Sequence, residues 1–358
     1  MSFVEKYMQN DIECSLNYFV RNGFHPHPYY YNCSLIRDPY AIGERRPFWG
    51  IYFMTVGTIL LSIYIPCFIV IITSKDLIKS SCYKIMTYLG VVDMCCITTN
   101  SLATGYFGFV GATFCSYPRA IFFFGALGCG CWMGTCATCI LLAINRCCDI
   151  NHNIPFRTLF KGKTIYLILL VPILFTIYSL FFTKPVIFDS NYMSWFFSPN
   201  LGLDLMYYRN IPHSIVNCVV SITTTSIYAY LCLLIRHKSK ISHSDALSKT
   251  QKQVFIQSIV VCSFNAIAAY IYVYMQFFPV NPIIILIGQI AWQWSHGCIC
   301  VAYITMNKTI RSKVYELLTP RIVREHLRLK IFEASSTRGP VSTMGNMKIA
   351  TLSGSSNF

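Results

Sequence analysis

Acidic residues are scarce in this chain: 14 in 358, against 29 Lys and Arg, and charged residues of both signs reach only 12%. Soluble domains carry about 25%, so water is not the solvent expected around most of this surface. The opening "MSFVEKYMQNDIECSLNYFV" lacks the apolar core of a signal peptide, so the first membrane-crossing helix is expected to act as the insertion signal. Enzyme signatures are missing as well: there is no HExxH, no phosphate-cradling GxxxxGK and no GxSxG elbow. Neither catalysis nor a cofactor is expected. The CxxC pattern at Cys136 and Cys139 lies within an apolar run without His or acid beside it, so no metal site is expected. The internal repeats on which many transporters are built are also lacking.

What the chain has in quantity is apolar mass, 54% hydrophobic and 15% aromatic. It gathers into seven runs, 49–73, 85–104, 117–145, 164–183, 211–235, 254–278 and 283–306. Each is near the roughly 20 residues that cross about 30 Å of hydrocarbon. The expected fold is an all-α integral membrane protein, a seven-transmembrane helix bundle with a short amphipathic helix after the last span. The expected organisation is an extracellular segment 1–48, the bundle 49–306, a basic amphipathic segment 307–332 and a disordered Ser/Thr-rich tail 333–358. The second run is the weakest, because Asp93 and several Thr and Asn interrupt it. Pro66, Pro172 and Pro212 read as helix breakers within spans.

Charge placement sets the expected direction. With the N-terminus outside, the outer segments hold 8 basic and 7 acidic residues and the inner segments 21 and 6. Lys and Arg concentrate on the cytosolic side of membrane proteins, so the basic total needs no nucleic acid partner. Plasma-membrane localisation, an extracellular N-terminus and a cytoplasmic C-terminus follow as expectations. The opposite orientation would suggest an insect-type odorant channel.

Asp93 is the one acid inside a span, where a charge costs several kcal/mol. A polar core joining Asp93, Thr135 and Ser295 is expected, with His296 as an interhelical hydrogen bonder. Gln289, Trp292 and His296 are spaced by 3 and 4 and share a helix face, which should point into the bundle. Gln289 and Trp292, with Asn217 and Asn265, are candidate ligand-pocket residues. No second charged residue faces Asp93, which speaks against ion-coupled transport. "NCS" at 32–34 makes Asn32 a glycan acceptor on the expected outer side. "HPHPYYY" at 25–31 reads as a solvated aromatic lid rather than a metal site. Ile310, Val314, Leu317 and Leu318 share one face of a short helix on the inner leaflet, with membrane lipid as its partner. Cys147 and Cys148, beside Arg146 at the end of the third span, are palmitoylation candidates.

Three motifs then carry a resemblance: "LGVVD" in span two, "LLAINRCCDI" closing span three and "YITMNKTIR" after span seven. They are similar to the L-x-x-x-D, acid-Arg-Tyr and Tyr…N-x-x-[FI]-R motifs of G-protein-coupled receptors, with Asp93, Arg146 and Tyr303 in the matching places. More narrowly, "YNCS", "RPFWG", "SCYKIMTYLG", "LAINRC", "LFKGK", "GQIAWQWSHG" and "YITMNKTIR" resemble the nematode serpentine chemoreceptors of class T, a rhodopsin-like family. These phrases run from about residue 30 to 311. The resemblance implies a receptor that binds a small environmental or pheromone-like molecule and activates a heterotrimeric G protein, with Asn145, Arg146 and Tyr303 as the switch. It is compatible with a sensory cilium. A peptide receptor and a ligand-gated channel are the alternatives. Departures include Asn145 where an acid is usual, which removes an ionic lock to the neighbouring residue, and no Asn-Pro before Tyr303. Many seven-helix receptors bridge the start of span three to the second outer loop. Here that loop, 184–210, has no Cys, so the partner of Cys115 is expected in the N-terminal segment: Cys33, with Cys14 as the alternative.

Overall fold

A computed structural model describes residues 10–151, 153–242, 249–278 and 280–319. Among these, seven helices are long and apolar enough to cross a membrane: Pro47–Thr73, Ser81–Val110, Pro118–Ile150, Thr164–Phe182, Ile211–Arg236, Phe255–Met275 and Pro282–Met306. They are called the first to seventh spans. The fifth and sixth belong to longer helices, Ile211–Ser242 and Lys249–Phe277. A short helix, Leu16–Arg21, precedes them, and Lys308–Leu318 follows. Residues through Val314 form one unit and those from Tyr315 a second. The basic run to 332 and the tail 333–358 lie outside the described residues.

The second span runs well beyond the expected 85–104. Its polar stretch Thr98–Ala103 forms a π-turn continuous with the flanking helix instead of ending it. Lipid would not tolerate the backbone groups such a turn frees; Thr104 Oγ1 donates to Thr99 O (3.0 Å), and the seventh span meets Asn100 O. Asn100 Nδ2 donates to Trp292 O (3.1 Å), and Gln289 Nε2 donates to Asn100 O (3.1 Å). The third span is the central helix. It presents small residues to the fourth, and a methyl at Gly134 would lie 1.9 Å from Thr176 Oγ1, so only glycine permits this approach. Pro212 is not a mid-span breaker. It occupies the first turn of the fifth helix, where its missing N–H has no intrahelical partner to lose.

One end of the bundle is covered by the N-terminal segment and by a hairpin, β1 Ile187–Asp189 and β2 Ser194–Phe196, paired antiparallel with Phe188 opposite Trp195. The Phe19 ring stacks on Phe122 of the third span at 4.8 Å. Tyr31 is buried among Phe114, Phe122 and Tyr208, whereas His25, Pro28 and Tyr29 are exposed, so "HPHPYYY" is a solvated lid anchored at its last residue. Asp11 pairs with the fully buried Lys184 at 2.9 Å. Cys33 is bonded to Cys115, with Cα atoms 5.7 Å apart. Cys14 is a free thiol that burial pushes up to about 12, so it stays protonated at neutral pH.

The bridge closes a sequence separation of 82 residues, which by chain entropy constrains the unfolded state by about 4–5 kcal/mol. Cys33→Ser or Cys115→Ser is expected to lower cell-surface protein several-fold. Non-reducing peptide mapping of the natural chain is expected to recover the two cysteines in one linked species, and finding both as free thiols would remove the bridge.

At the other end, Asn307 separates the seventh span from Lys308–Leu318 and caps the latter, its Oδ1 accepting from Ile310 N–H at 3.0 Å. Ile310 and Val314 are buried. Cys147 and Cys148 are buried as well, which withholds both thiols from a palmitoylating enzyme.

Candidate functional site

Beneath the hairpin lies a cavity of about 180 Å³. Trp132 and Cys129 come from the third span, Tyr272 and Met275 from the sixth, Trp292 from the seventh, His213 from the fifth and Trp195 and Phe197 from the hairpin region. Such a wall, mostly aromatic with few polar groups, is the usual character of a small-molecule site. The hairpin cannot be lifted cheaply. A methyl at Gly125 would lie 1.6 Å from Val186 O, so the third span and the β1 approach touch backbone to backbone. Trp195 Nε1 donates to Thr104 Oγ1 at 2.8 Å, which ties the hairpin to the second span.

Of the four residues expected to line a pocket, Trp292 alone does so. Gln289, Asn217 and Asn265 stand off the lining of this cavity. Gln289 is held by the second span, donating to Asn100 O and to Thr104 Oγ1 (3.3 Å). Asn217 sits behind the wall, its Oδ1 accepting from Trp132 Nε1 at 2.7 Å. Asn265 is fully buried with its Oδ1 near Cys136 Sγ (3.9 Å). Gln289 and Asn217 are thus engaged by neighbouring spans, whereas the Asn265 amide nitrogen has no partner among the described residues.

The buried polar core is assembled differently from expectation. Asp93 is fully buried, and its two oxygens are taken by His296 Nδ1 (2.7 Å) and by the Tyr64 hydroxyl (2.7 Å). Thr135 faces the same carboxyl group, but its hydroxyl stands outside hydrogen-bond geometry. Ser295 is not a member. Its hydroxyl donates to Trp292 O one turn back (2.8 Å), the usual local alternative for Ser in a helix. Tyr64 was missed by sequence reasoning, and its only signal was a hydroxyl-bearing aromatic inside "LLSIYIP". Gln293, fully buried and donating to Ser101 Oγ (3.0 Å), was missed too.

This core lies next to the cavity. Trp132, on the cavity wall, meets His296 edge-on at 6.1 Å, and on the far side Tyr64 meets Tyr303 edge-on at 6.2 Å. Tyr303 therefore belongs with the Asp93 cluster, and its hydroxyl has no hydrogen-bond partner among the described residues. Arg146 is elsewhere, at the opposite end of the third span from the cavity. Only 6% exposed, it pairs with Asp149 one turn on (2.8 Å) and donates to Asn145 Oδ1 (2.5 Å). Asn145 Nδ2 in turn donates to Ser81 Oγ (3.0 Å), joining the third span to the second. With Asn at 145 no carboxylate adjoins Arg146, and the acid three residues later fills that place. The i, i+3 spacing in "RCCD" was the available signal.

Asn32 is exposed, its Oδ1 accepting from Ser34 N–H at 2.9 Å in a local turn. An acceptor Asn needs that kind of access.

The family model described as "Serpentine type 7TM GPCR chemoreceptor Srt" matches residues 14–327. Serpentine receptor class T-55 of Caenorhabditis elegans is 27% identical over 325 residues, 90% of this chain and 86% of that protein. Among solved structures, squid rhodopsin superposes with a TM-score of 0.52 at 14% identity, covering 80% of this chain and 91% of its own. At that identity the likeness concerns the fold.

Proposed function

The chain belongs to the Srt family of serpentine seven-transmembrane chemoreceptors, and from that premise we propose that it is a G-protein-coupled chemosensory receptor for a small molecule bound in the aromatic cavity. Family and fold are those of multi-pass membrane receptors rather than enzymes. The proposed orientation puts the disulfide-bearing end outside and the Arg146 end in the cytosol, as the distribution of Lys and Arg favours. Membrane lipid surrounds the spans, and no nucleic acid is involved.

The observation that carries this reading is the pairing of two ends through one helix. The third span lines the cavity with Trp132 and, further along, holds the buried Arg146 in an ion pair with the partly exposed Asp149. A ligand shifts such a system only by binding one packing better than the other. Trp132, in ring contact with both Tyr272 and His296, is where occupancy of the cavity would bias the packing of the third, sixth and seventh spans. Release of Arg146 from Asp149 then offers a cation to a G-protein α subunit.

Orientation and modification are read in one experiment. Peptide-N-glycosidase treatment is expected to increase the gel mobility of the natural chain and to leave Asn32→Gln unchanged, and an N-terminal tag is expected to stain on intact cells. An N-terminal tag that stains only after permeabilisation would reverse the orientation.

A further inference from the structure

We infer that the cavity selects neutral, largely apolar molecules that carry one hydrogen-bond acceptor, such as a ketone, aldehyde or ester, with His213 Nε2–H as the donor that meets it. The inference rests on the receptor reading for its biological sense, but its chemistry rests on three side chains. Trp132 Nε1 can only donate, and its partner is Asn217 Oδ1 at 2.7 Å. That fixes which way the Asn217 amide faces. Its Nδ2, which can only donate, is then the atom turned to His213 Nδ1 at 3.3 Å. His213 Nδ1 must therefore accept, and a neutral imidazole whose Nδ1 accepts carries its proton on Nε2. His213 lines the cavity, and its Nε2 has no partner among the described residues. The relay from Trp132 through Asn217 thus presets the imidazole as a donor before any ligand arrives.

The rest of the wall decides what accompanies that acceptor. Among the described residues no Asp, Glu, Lys or Arg lines the cavity, so an ammonium or carboxylate would enter a largely apolar space without a counter-ion, which is strongly disfavoured. The Cys129 thiol is turned to Lys184 O (3.8 Å), and the Trp195 indole N–H is taken by Thr104. Two further polar groups belong to wall residues: the Tyr272 hydroxyl, able to donate or accept, and the Trp292 indole N–H, which is buried and without a partner among the described residues. Faces of Trp132, Trp195, Phe197 and Trp292 suit the remaining carbon skeleton. A hydrocarbon of the same shape fills this space but leaves the His213 donor unpaired, which lowers affinity about 10-fold.

The test uses the full-length chain purified into lipid nanodiscs and four probes built on one ring: acetophenone, isopropylbenzene, α-methylbenzylamine and benzoate. Melting temperature is followed against probe concentration. Acetophenone is expected to raise Tm, isopropylbenzene to need about 10-fold more for the same rise, and the two ions to give none. His213→Phe is expected to make ketone and hydrocarbon equivalent, whereas His213→Gln, which retains a donor, keeps part of the preference. A rise with the amine or benzoate, equal rises with ketone and hydrocarbon in the natural chain, or no rise with the ketone would each overturn the inference. The two readings fail separately. An Arg146-dependent G-protein signal in a chain that does not favour the ketone leaves the receptor standing and removes the ligand class. Discrimination of the ketone by a chain that engages no G protein does the reverse.

Discussion

His296→Ala is expected to reduce folded protein at the cell surface more than any other single substitution in the core. Asp93 and His296 are both fully buried, and the ring nitrogen is 2.7 Å from the carboxyl oxygen. Removing the imidazole leaves that oxygen with no donor in a medium that supplies no water. An orphaned buried polar group costs about 1–3 kcal/mol. Against a total stability of about 5–15 kcal/mol, even the lower figure changes the folded fraction many-fold in a marginal protein. The Tyr64 hydroxyl still holds the other oxygen, so Tyr64→Phe alone is the milder change. Asp93→Asn supplied in the His296→Ala background is expected to restore part of the loss, because a neutral amide tolerates the vacated space better than a carboxyl group. Surface biotinylation with total-protein blots measures this. Equal surface levels for His296→Ala and the natural chain would show that the pair contributes nothing to folding.

Asp149→Asn is the second large effect, and it acts on signalling rather than folding. Arg146 is held by Asp149 at 2.8 Å and by Asn145 at 2.5 Å. The Asp149 side chain is 41% exposed, so its ion pair is discounted for solvent to at most about 1 kcal/mol. That is still a factor of about 5 in a two-state equilibrium. Ligand-independent G-protein activity should therefore rise about 3- to 5-fold at equal surface density. The Asn145 contact remains and limits the gain. Unchanged basal activity in Asp149→Asn would mean that this ion pair does not restrain the resting state.

The seven spans were legible because hydropathy registers directly in composition, run by run. Their ends were less so. The second span was read as weak and ended at 104, just past its Thr-Asn stretch, since a single sequence does not reveal that Gln289 and Gln293 of the seventh span are there to meet it. The same limit governs the core. Spacing placed Asp93 and His296 on inward faces, but which residue meets which depends on the rotation and height of each helix. Tyr64, Gln293 and Asp149 went unnoticed for that reason, and Ser295 was assigned a partner that its own helix already supplies. The hairpin was invisible because three-residue strands carry too little alternation to register. The bridge between Cys33 and Cys115 was accessible by another route: loop 184–210 offers no cysteine, and the bonded pair is the one that absence left first.

Spatial continuity from Trp132 through His296 and Asp93 to Tyr303 does not by itself carry a signal; two arrangements must exist that a ligand biases. The most direct measurement is a G-protein activation assay in cells expressing the chain, exposed to a panel of volatile and water-soluble chemicals, with Arg146→Ala run beside it at matched surface density. At least one chemical should evoke a response in the natural chain and none in Arg146→Ala. Equal responses from both, or a chemical-evoked ionic current that persists in cells lacking G proteins, would contradict a receptor that speaks through Arg146.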